Sequence, residues 1–191
     1  MKRLPAAAAI AIVVLSTAAV SADDAKTSEV KLSDKVTLQV PASWKEVEPS
    51  SSFRKAQFSI PAVEGDDMPA EMAVFSFGGS AGGVDANVKR WIDQFEPKGR
   101  KAEVVMGDAM VGKYVLADLS GTYNMPVGPP IQRQTKAMPG SRVLAVILAA
   151  GEEVYFLKLS GPDKTVAAQA DALRKSFGAD KSKEKKYEMP E

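Results

Sequence analysis

The sequence contains neither cysteine nor histidine, and each absence excludes whole classes of function. Without cysteine the chain forms no disulfide, has no thiol nucleophile and offers no thiolate to a metal. Without histidine it has no Ser-His-Asp triad, no imidazole base and no histidine-bound zinc. Catalysis by serine, lysine, tyrosine or paired carboxylates is left, but no recognisable motif for it is present. The sequence therefore predicts a protein that is not an enzyme and carries no cofactor.

The chain also has little net charge. Its 25 basic and 24 acidic residues leave a formal charge of +1 at pH 7. Nucleic acids and anionic lipids are bound largely through an excess of basic residues. We therefore expect no nucleic-acid partner.

The one long hydrophobic run lies at the N-terminus. Residues 1–3 are positively charged at Lys2 and Arg3, and residues 4–20 are almost entirely apolar. Small residues then precede Asp23, as at a signal-peptidase site. A membrane anchor is the alternative, but the run is short for a bilayer and no basic cluster follows it. The sequence predicts a signal peptide over residues 1–22, export to the periplasm or medium, and no integral membrane span after cleavage.

The remaining chain is predicted to form one domain with two polar ends. Its 169 residues suit a single domain. Residues 23–34 form a polar lead-in, of which residues 23–29 are expected not to pack, and residues 35–178 form the domain. Residues 179–191 have almost no apolar side chains and are expected to be a charged, disordered tail.

Alternating apolar residues predict most of the strands. Val36, Leu38 and Val40 alternate with polar residues, which is typical of a half-buried strand. Further strand-like runs cover residues 53–60, 71–77, 102–106, 112–122, 132–138, 142–150 and 154–159. Short links join most of these runs, so the predicted fold class is α+β with a mainly antiparallel sheet flanked by helices.

Two helices are predicted from apolar stripes. The first carries Val84, Val88, Trp91, Ile92 and Phe95 at helical spacing, with Asp85 as the N-cap and Pro97 ending it. The second carries Val166, Ala170, Leu173 and Phe177, and Gly178 ends it. Trp91 lies within the first stripe and is predicted to be core, whereas Trp44 is predicted to cover the core as a lid.

A glycine-rich segment, residues 78–83, precedes the first helix. It lacks the lysine and hydroxyl of a P-loop and the glycine spacing of a dinucleotide-binding turn. Asp85 also places a carboxylate where a phosphate would lie. The segment is interpreted as a strand-to-helix turn.

Two metal sites are considered and neither is predicted. The thioethers of the chain suit Cu(I), but methionine is also a common core residue, and core packing is the favoured interpretation for Met68, Met72, Met106, Met110, Met125 and Met138. The acidic residues Glu64, Asp66, Asp67 and Glu71 do not have EF-hand spacing, so they are interpreted as a solvated loop.

The loop between two strand-like runs at residues 123–133 is the predicted interaction surface. Its prolines stiffen it, and a stiff exposed loop with an aromatic residue makes a suitable contact surface. A simple strand connection is the alternative. The residues proposed for the surface are Tyr123, Asn124, Pro126, Pro129, Pro130 and Arg133.

The string VTLQVPASW, at Val36–Trp44, resembles the opening of PsbP/Mog1-like domains. Segments Ala70–Gly78, Asn87–Trp91 and Phe156–Pro162 are similar to those of exported bacterial proteins of that type. The resemblance covers about residues 35–178 and implies an antiparallel sheet with helices on its faces, an α/β/α sandwich. PsbP proteins are extrinsic subunits of photosystem II and Mog1 binds a small GTPase, so the resemblance implies a binding module. No residue role is carried over from the family.

Two functions follow as hypotheses. The first is an exported, non-catalytic binding or accessory module that docks onto an envelope protein. The second is a carrier of a small ligand or metal in the cell envelope, most specifically of Cu(I) at methionines.

Overall fold

A computed structural model describes residues 26–77, 82–128 and 134–189, so the predicted signal peptide lies outside the described residues. The strands are β1 (Thr27–Lys31), β2 (Thr37–Pro41), β3 (Lys45–Glu46), β4 (Arg54–Ile60), β5 (Ala70–Ser76), β6 (Lys101–Ala109), β7 (Gly112–Pro126), β8 (Thr135–Ala150), β9 (Glu153–Pro162) and β10 (Lys185–Lys186). The helices are α1 (Val84–Asp93), α2 (Asp163–Ala168) and α3 (Ala170–Ser176), with a 3-10 turn at Lys181–Lys183. Over these described ranges, no helix is long and apolar enough to cross a bilayer.

The strands build one large antiparallel sheet and a small hairpin. The large sheet has the order β10-β6-β7-β8-β9-β5-β4-β3, and β1 pairs with β2. Each described pairing is antiparallel. The predicted α+β class with a mainly antiparallel sheet is confirmed.

Helices cover both faces of the sheet, as expected for an α/β/α sandwich. Successive side chains of a strand point to opposite faces, and β8 buries both sets. Its even-numbered residues Leu144, Val146 and Leu148 lie in one cluster with residues of α2 and α3. Its odd-numbered residues lie in a second cluster with Val88 and Trp91 of α1.

The β1–β2 hairpin extends the core on the α3 side. Leu38 and Val40 are fully buried, which confirms the predicted alternation. Trp44 is 3% exposed, and its Nε1 donates a hydrogen bond of 2.9 Å to Gln169 Oε1, as expected for a lid over the core. The prediction that residues 23–29 do not pack is wrong for residues 27–29, because they belong to β1 and pair with β2. Because β1 has few apolar residues, its own sequence did not indicate a strand. Its strand conformation depends on the pairing with β2.

Helix α1 has the predicted stripe but a different N-terminus. Val88, Trp91 and Phe95 are buried. Gly83 is the N-cap, so Asp85 lies in the first turn and the prediction of an Asp85 cap is wrong. Asp85 Oδ1 instead accepts a 2.7 Å hydrogen bond from Tyr187 Oη. Glycine-rich residues 78–81 lie outside the described residues.

Two predicted elements have different bounds in the structure. The second predicted helix is divided at Gln169 into α2 and α3, and Gly178 follows with a φ of +76°. The runs predicted at residues 132–138 and 142–150 contribute to one strand, because β8 continues through Pro139 and Gly140.

The prediction of a disordered C-terminal tail is wrong for the described residues up to 189. Strand β10 pairs with β6, and the 3-10 turn before it is capped by Asp180. Glu184 lies between them and forms a buried ion pair with Arg174. Composition indicated disorder because the segment is highly charged, but one buried carboxylate anchors it to the domain.

Candidate functional site

Strands β7 and β8 are longer than their neighbours and extend beyond the sheet. Pairing of β6 with β7 ends at Ser120, and pairing of β9 with β8 ends at Ser141. Residues 121–126 and 135–140 therefore form a two-stranded extension, named here the arm. The sequence predicts a loop from residue 123 onward, whereas the structure continues β7 to Pro126.

The two edges of the arm differ. The end of α1 lies along the β7 edge, where Asn124 N donates to Gln94 O at 2.8 Å and Glu96 N donates to Thr122 O at 2.9 Å. Along residues 135–140, the described part of the chain pairs no strand with the outer edge of β8. An unpaired strand edge offers backbone donors and acceptors to another chain.

A groove of about 590 Å³ lies beside this unpaired edge and is named here the methionine groove. This volume is typical of ligand-binding sites. Its lining comes from the arm, the loop before β5 and the end of β9, and includes Met68, Glu71, Tyr123, Met125, Lys136 and Met138.

Three methionines are brought together in the methionine groove. Tyr123 and Met125 lie two residues apart on β7, and Met138 is paired opposite Tyr123, so these side chains share one face of the arm. Met68 joins them from the loop before β5. The other candidates lie elsewhere: Met72 is fully buried in the core, whereas Met106 and Met110 are exposed.

Helix α2 holds the loop that forms one wall of the methionine groove. Asp66 Oδ2 accepts hydrogen bonds from Thr165 N at 2.8 Å and Thr165 Oγ1 at 2.7 Å. Val63 N also donates to Thr165 Oγ1, at 3.2 Å. The Asp66 carboxylate therefore has a structural role in the loop. Over the described residues, no group of three or more histidine, cysteine or acidic side chains is placed to hold a metal.

A half-buried lysine lies next to the methionine groove, on the α1 face of the sheet. Lys158 Nζ donates to Tyr123 Oη at 2.7 Å and to Gln94 Oε1 at 3.4 Å. Burial lowers the pKa of Lys158 to about 8, and the positive charge of Arg90 acts in the same direction. Burial also raises the pKa of Tyr123 to about 12, so this hydroxyl stays protonated at neutral pH.

The carboxylate of Glu71, whose charge raises the pKa of both Lys158 and Tyr123, is already compensated. Glu71 Oε1 accepts a 2.7 Å hydrogen bond from Arg54, and Glu71 Oε2 accepts one of 2.8 Å from Gln57 Nε2. Register places Lys158 opposite Ala73 and Glu71 opposite Ser160, so Glu71 and Lys158 lie on the same face without direct pairing. Glu71 contributes to the methionine groove as one half of an ion pair.

The predicted interaction surface is only partly described by the structure. Tyr123 is 5% exposed within β7, so the prediction that it lies on an exposed loop is wrong. Asn124 is half-buried and Pro126 is exposed at the end of β7. Pro129, Pro130 and Arg133 lie outside the described residues.

Sequence reasoning missed Lys158 as a site residue. A usable signal was present, because Lys158 interrupts the apolar run Phe156–Leu159 of a strand that is buried on both faces. A lysine within such a run must find polar partners or lower its pKa. The partners of Lys158 come from distant parts of the chain, which a local pattern does not identify.

No protein-family model matches the chain, and no curated protein matches it. Solved structures similar to it include the cyanobacterial PsbP (CyanoP) of Synechocystis sp. PCC 6803, at 12% identity and a TM-score of 0.48, with 90% of this chain and 98% of that chain covered. PA94, a protein of unknown function from Pseudomonas aeruginosa, is 13% identical with a TM-score of 0.42, over 78% of this chain and 92% of that chain. LpqN, involved in cell envelope biogenesis of Mycobacterium tuberculosis, is 16% identical with a TM-score of 0.39, over 73% of this chain and 78% of that chain. The PsbP group that the sequence resembles is thus represented among the similar structures, and the similarity concerns the fold alone.

Proposed function

We propose that this protein is a non-catalytic binding module of the cell envelope that holds an extended segment of a partner protein in the methionine groove. The outer edge of β8 along residues 135–140, with which no strand of the described ranges pairs, supports this proposal most directly. An extended peptide adds to such an edge through main-chain hydrogen bonds, and its alternate side chains enter neighbouring pockets. The groove supplies those pockets beside the edge.

The lining of the methionine groove suits an apolar peptide side chain. Methionine is flexible and polarisable, so it adapts its shape to different apolar partners. Met68, Met125 and Met138 provide such surface, and Asp67 and Lys136 provide charges of both signs around it. The partner segment is therefore expected to alternate apolar and polar residues, with the apolar ones facing the groove.

Export and an envelope partner belong to the same proposal. They rest on the predicted signal peptide over residues 1–22. Binding of a partner segment at the extended strand edge needs no catalytic residue.

Site-specific photo-crosslinking in intact producing cells tests the proposal. A photoreactive residue replaces Lys136 at the groove, and a matched variant carries it at exposed Lys98, on the turn after α1. We expect one protein adduct specific to the Lys136 position. A peptide synthesised from the cross-linked segment should then slow amide hydrogen exchange along residues 135–140. An adduct common to both positions, or slowed exchange confined to other strands, would contradict the proposal.

The position of the three methionines supports a second function, Cu(I) binding. The thioethers of Met68, Met125 and Met138 line a single groove, and thioether sulfur is a soft ligand that Cu(I) accepts. The sequence alone does not show which methionines lie close together. Their shared position in the groove is therefore the observation that favours Cu(I) binding.

Titration with Cu(I) under anaerobic conditions tests the second function. The triple variant Met68→Leu, Met125→Leu, Met138→Leu should lose binding, because leucine keeps the volume but removes the sulfur. The control variant Met106→Leu, Met110→Leu removes exposed methionines outside the groove and should bind as the unmodified protein does. Equal affinity of the two variants for Cu(I) would exclude the groove as the copper site.

A further inference from the structure

A second, smaller pocket lies on the same face of the sheet, between α1 and strands β5 and β9. Its volume is about 160 Å³, and Phe75, Phe77, Trp91, Phe156, Arg90 and Lys158 are among its lining residues. It is separate from the methionine groove, with which it shares no lining residue. We name it the aromatic pocket.

The apolar wall of the aromatic pocket consists of packed rings. Phe77 lies edge-on to Phe156 with ring centroids 5.5 Å apart, and Trp91 lies edge-on to Phe156 at 6.3 Å. Phe75 stacks on Phe77 at 5.9 Å, and Phe77 is 41% exposed. The exposed ring of Phe77 provides a contact area for another ring, while Phe156 and Trp91 are buried behind it at 5% and 6% exposure.

Two cations line the same pocket without a carboxylate partner among the described residues. Lys158 donates to the hydroxyl of Tyr123 and the amide oxygen of Gln94, and both acceptors are neutral. Arg90 Nη2 donates to the amide oxygen of Asn87 at 2.6 Å. A third cation, Arg54, lies 5.2 Å from the centre of the Phe75 ring but is already paired with Glu71.

Lys158 is half-buried and Arg90 is exposed, and among the described residues only Glu71, already paired with Arg54, acts on Lys158 as a negative charge. A net positive charge therefore lies beside the apolar wall. A half-buried ammonium group without a counter-ion is costly, and a bound anion would remove that cost. The lowered pKa of Lys158 reflects this cost, since burial and the Arg90 charge both disfavour the protonated amine. A carboxylate placed between Lys158 and Arg90 would form charge-assisted hydrogen bonds with both.

From the rings and the two cations, for which the described residues offer no carboxylate partner, we propose that the aromatic pocket binds a small aromatic carboxylic acid. The carboxylate lies between Lys158 and Arg90, and the ring lies against Phe77 and Phe156. The volume of the pocket limits the ligand to a single ring with a short acidic group. The proposal goes beyond the partner-binding function, because a small acid would be a ligand of this protein whatever occupies the methionine groove.

Calorimetric titration of the signal-free chain with benzoate and with neutral benzamide is the first test. The two probes share the ring and differ in charge, so their comparison isolates the role of the cations. Benzoate should bind saturably with a Kd of about 1 mM or tighter, as ligands of this size allow. Benzamide should bind about tenfold or more weakly, because it loses the charge-assisted bonds. Equal affinities for the two probes, or no saturation with benzoate at about 10 mM, would overturn the proposal.

Variants locate the site on the protein. Arg90→Gln and Lys158→Met should each weaken benzoate binding about tenfold. Lys89→Gln is the matched control, because Lys89 is the neighbouring cation on α1, is exposed and pairs with Asp93. Benzoate binding reduced equally by Lys89→Gln and Arg90→Gln would contradict the assignment. Should Lys158→Met fail to fold, Arg90→Gln and the benzamide comparison decide the question.

The outcome is independent of the methionine groove. A benzoate site that survives Met68→Leu, Met125→Leu, Met138→Leu supports the aromatic pocket even where no protein partner is found. Conversely, a peptide that binds along residues 135–140 in the Arg90→Gln variant supports the groove even where benzoate fails to bind.

Discussion

Arg174 and Glu184 form an ion pair inside the protein, with Arg174 Nε donating to Glu184 Oε1 over 2.7 Å. Their side chains are only 7% and 8% exposed. Tyr114 Oη donates to the same carboxylate oxygen at 2.9 Å. Helix α3, strand β7 and the C-terminal segment therefore meet at Glu184, and this carboxylate ties the tail to the domain.

Replacing Glu184 by leucine should strongly destabilise the protein. The change leaves the Arg174 guanidinium buried without its counter-ion, which typically costs about 3–5 kcal/mol. Urea unfolding of the variant measures the loss. Glu188→Leu is the matched control, since Glu188 pairs with Lys186 on the surface with 77% of its side chain exposed. A similar small loss in both variants would show that Glu184 does not anchor the tail.

Lys158 should make stability rise with pH above about 8. Its pKa is lowered to about 8 in the folded protein from an ordinary 10.5, so only the unfolded chain holds this proton between the two values. The free energy of unfolding therefore increases through that window, by at most about 1.4 kcal/mol per pH unit. The charges of Arg90, Glu71 and Arg54 also act on the ammonium group, Arg90 and Arg54 lowering its pKa and Glu71 raising it. Tyr123 acts in the opposite sense only above its ordinary value of 10.0.

Urea unfolding between pH 7 and pH 10 measures this dependence. The Lys158→Met variant is the control, because it has no proton to release at this position and should show a flatter profile. A free energy of unfolding that falls with pH in the unmodified protein, or identical profiles for both proteins, would contradict the lowered pKa of Lys158.

Gly112 should not tolerate a side chain. Its φ is +152°, and a Cβ at this position would overlap the carbonyl oxygen of Ala149 on β8. Gly112→Ala is therefore expected to cost about 3 kcal/mol or more, as steric conflicts with backbone do. Gly151→Ala is the control, because Gly151 has a φ of +65° with open space around it and should cost about 1 kcal/mol. Thermal unfolding compares the two, and equal losses would show that the β7–β8 contact adjusts freely.

Thr165 should control the mobility of the loop beside the methionine groove. Thr165→Val keeps the shape but removes the hydroxyl that bonds Asp66 and accepts from Val63. A loss of about 1–2 kcal/mol is expected, with faster amide exchange over residues 62–69. Thr27→Val removes an exposed hydroxyl bonded to Gln39 and should change neither quantity. Unchanged exchange over residues 62–69 in the Thr165 variant would exclude Thr165 as the anchor of this loop.

Local patterns in the sequence determined most of the regular structure. The alternation at Val36, Leu38 and Val40 and the helical stripe containing Val88 and Trp91 both depend on neighbours within a few residues. Such periodicity indicates which side of a helix or strand is apolar, even when the elements that pack against it are not known. The antiparallel class followed from the short links between strands, and the sheet order confirms it.

Only the tertiary structure showed which polar and charged side chains lie together in possible binding sites. Lys158 lies near Tyr123, Gln94 and Arg90 because β9, β7 and α1 pack together. No spacing of residues along the sequence indicates these contacts. The same holds for the tail, whose charged composition indicated disorder until Arg174 provided a buried partner for Glu184. Periodicity is a local property, whereas the pKa of a lysine and the order of a charged segment depend on contacts across the fold.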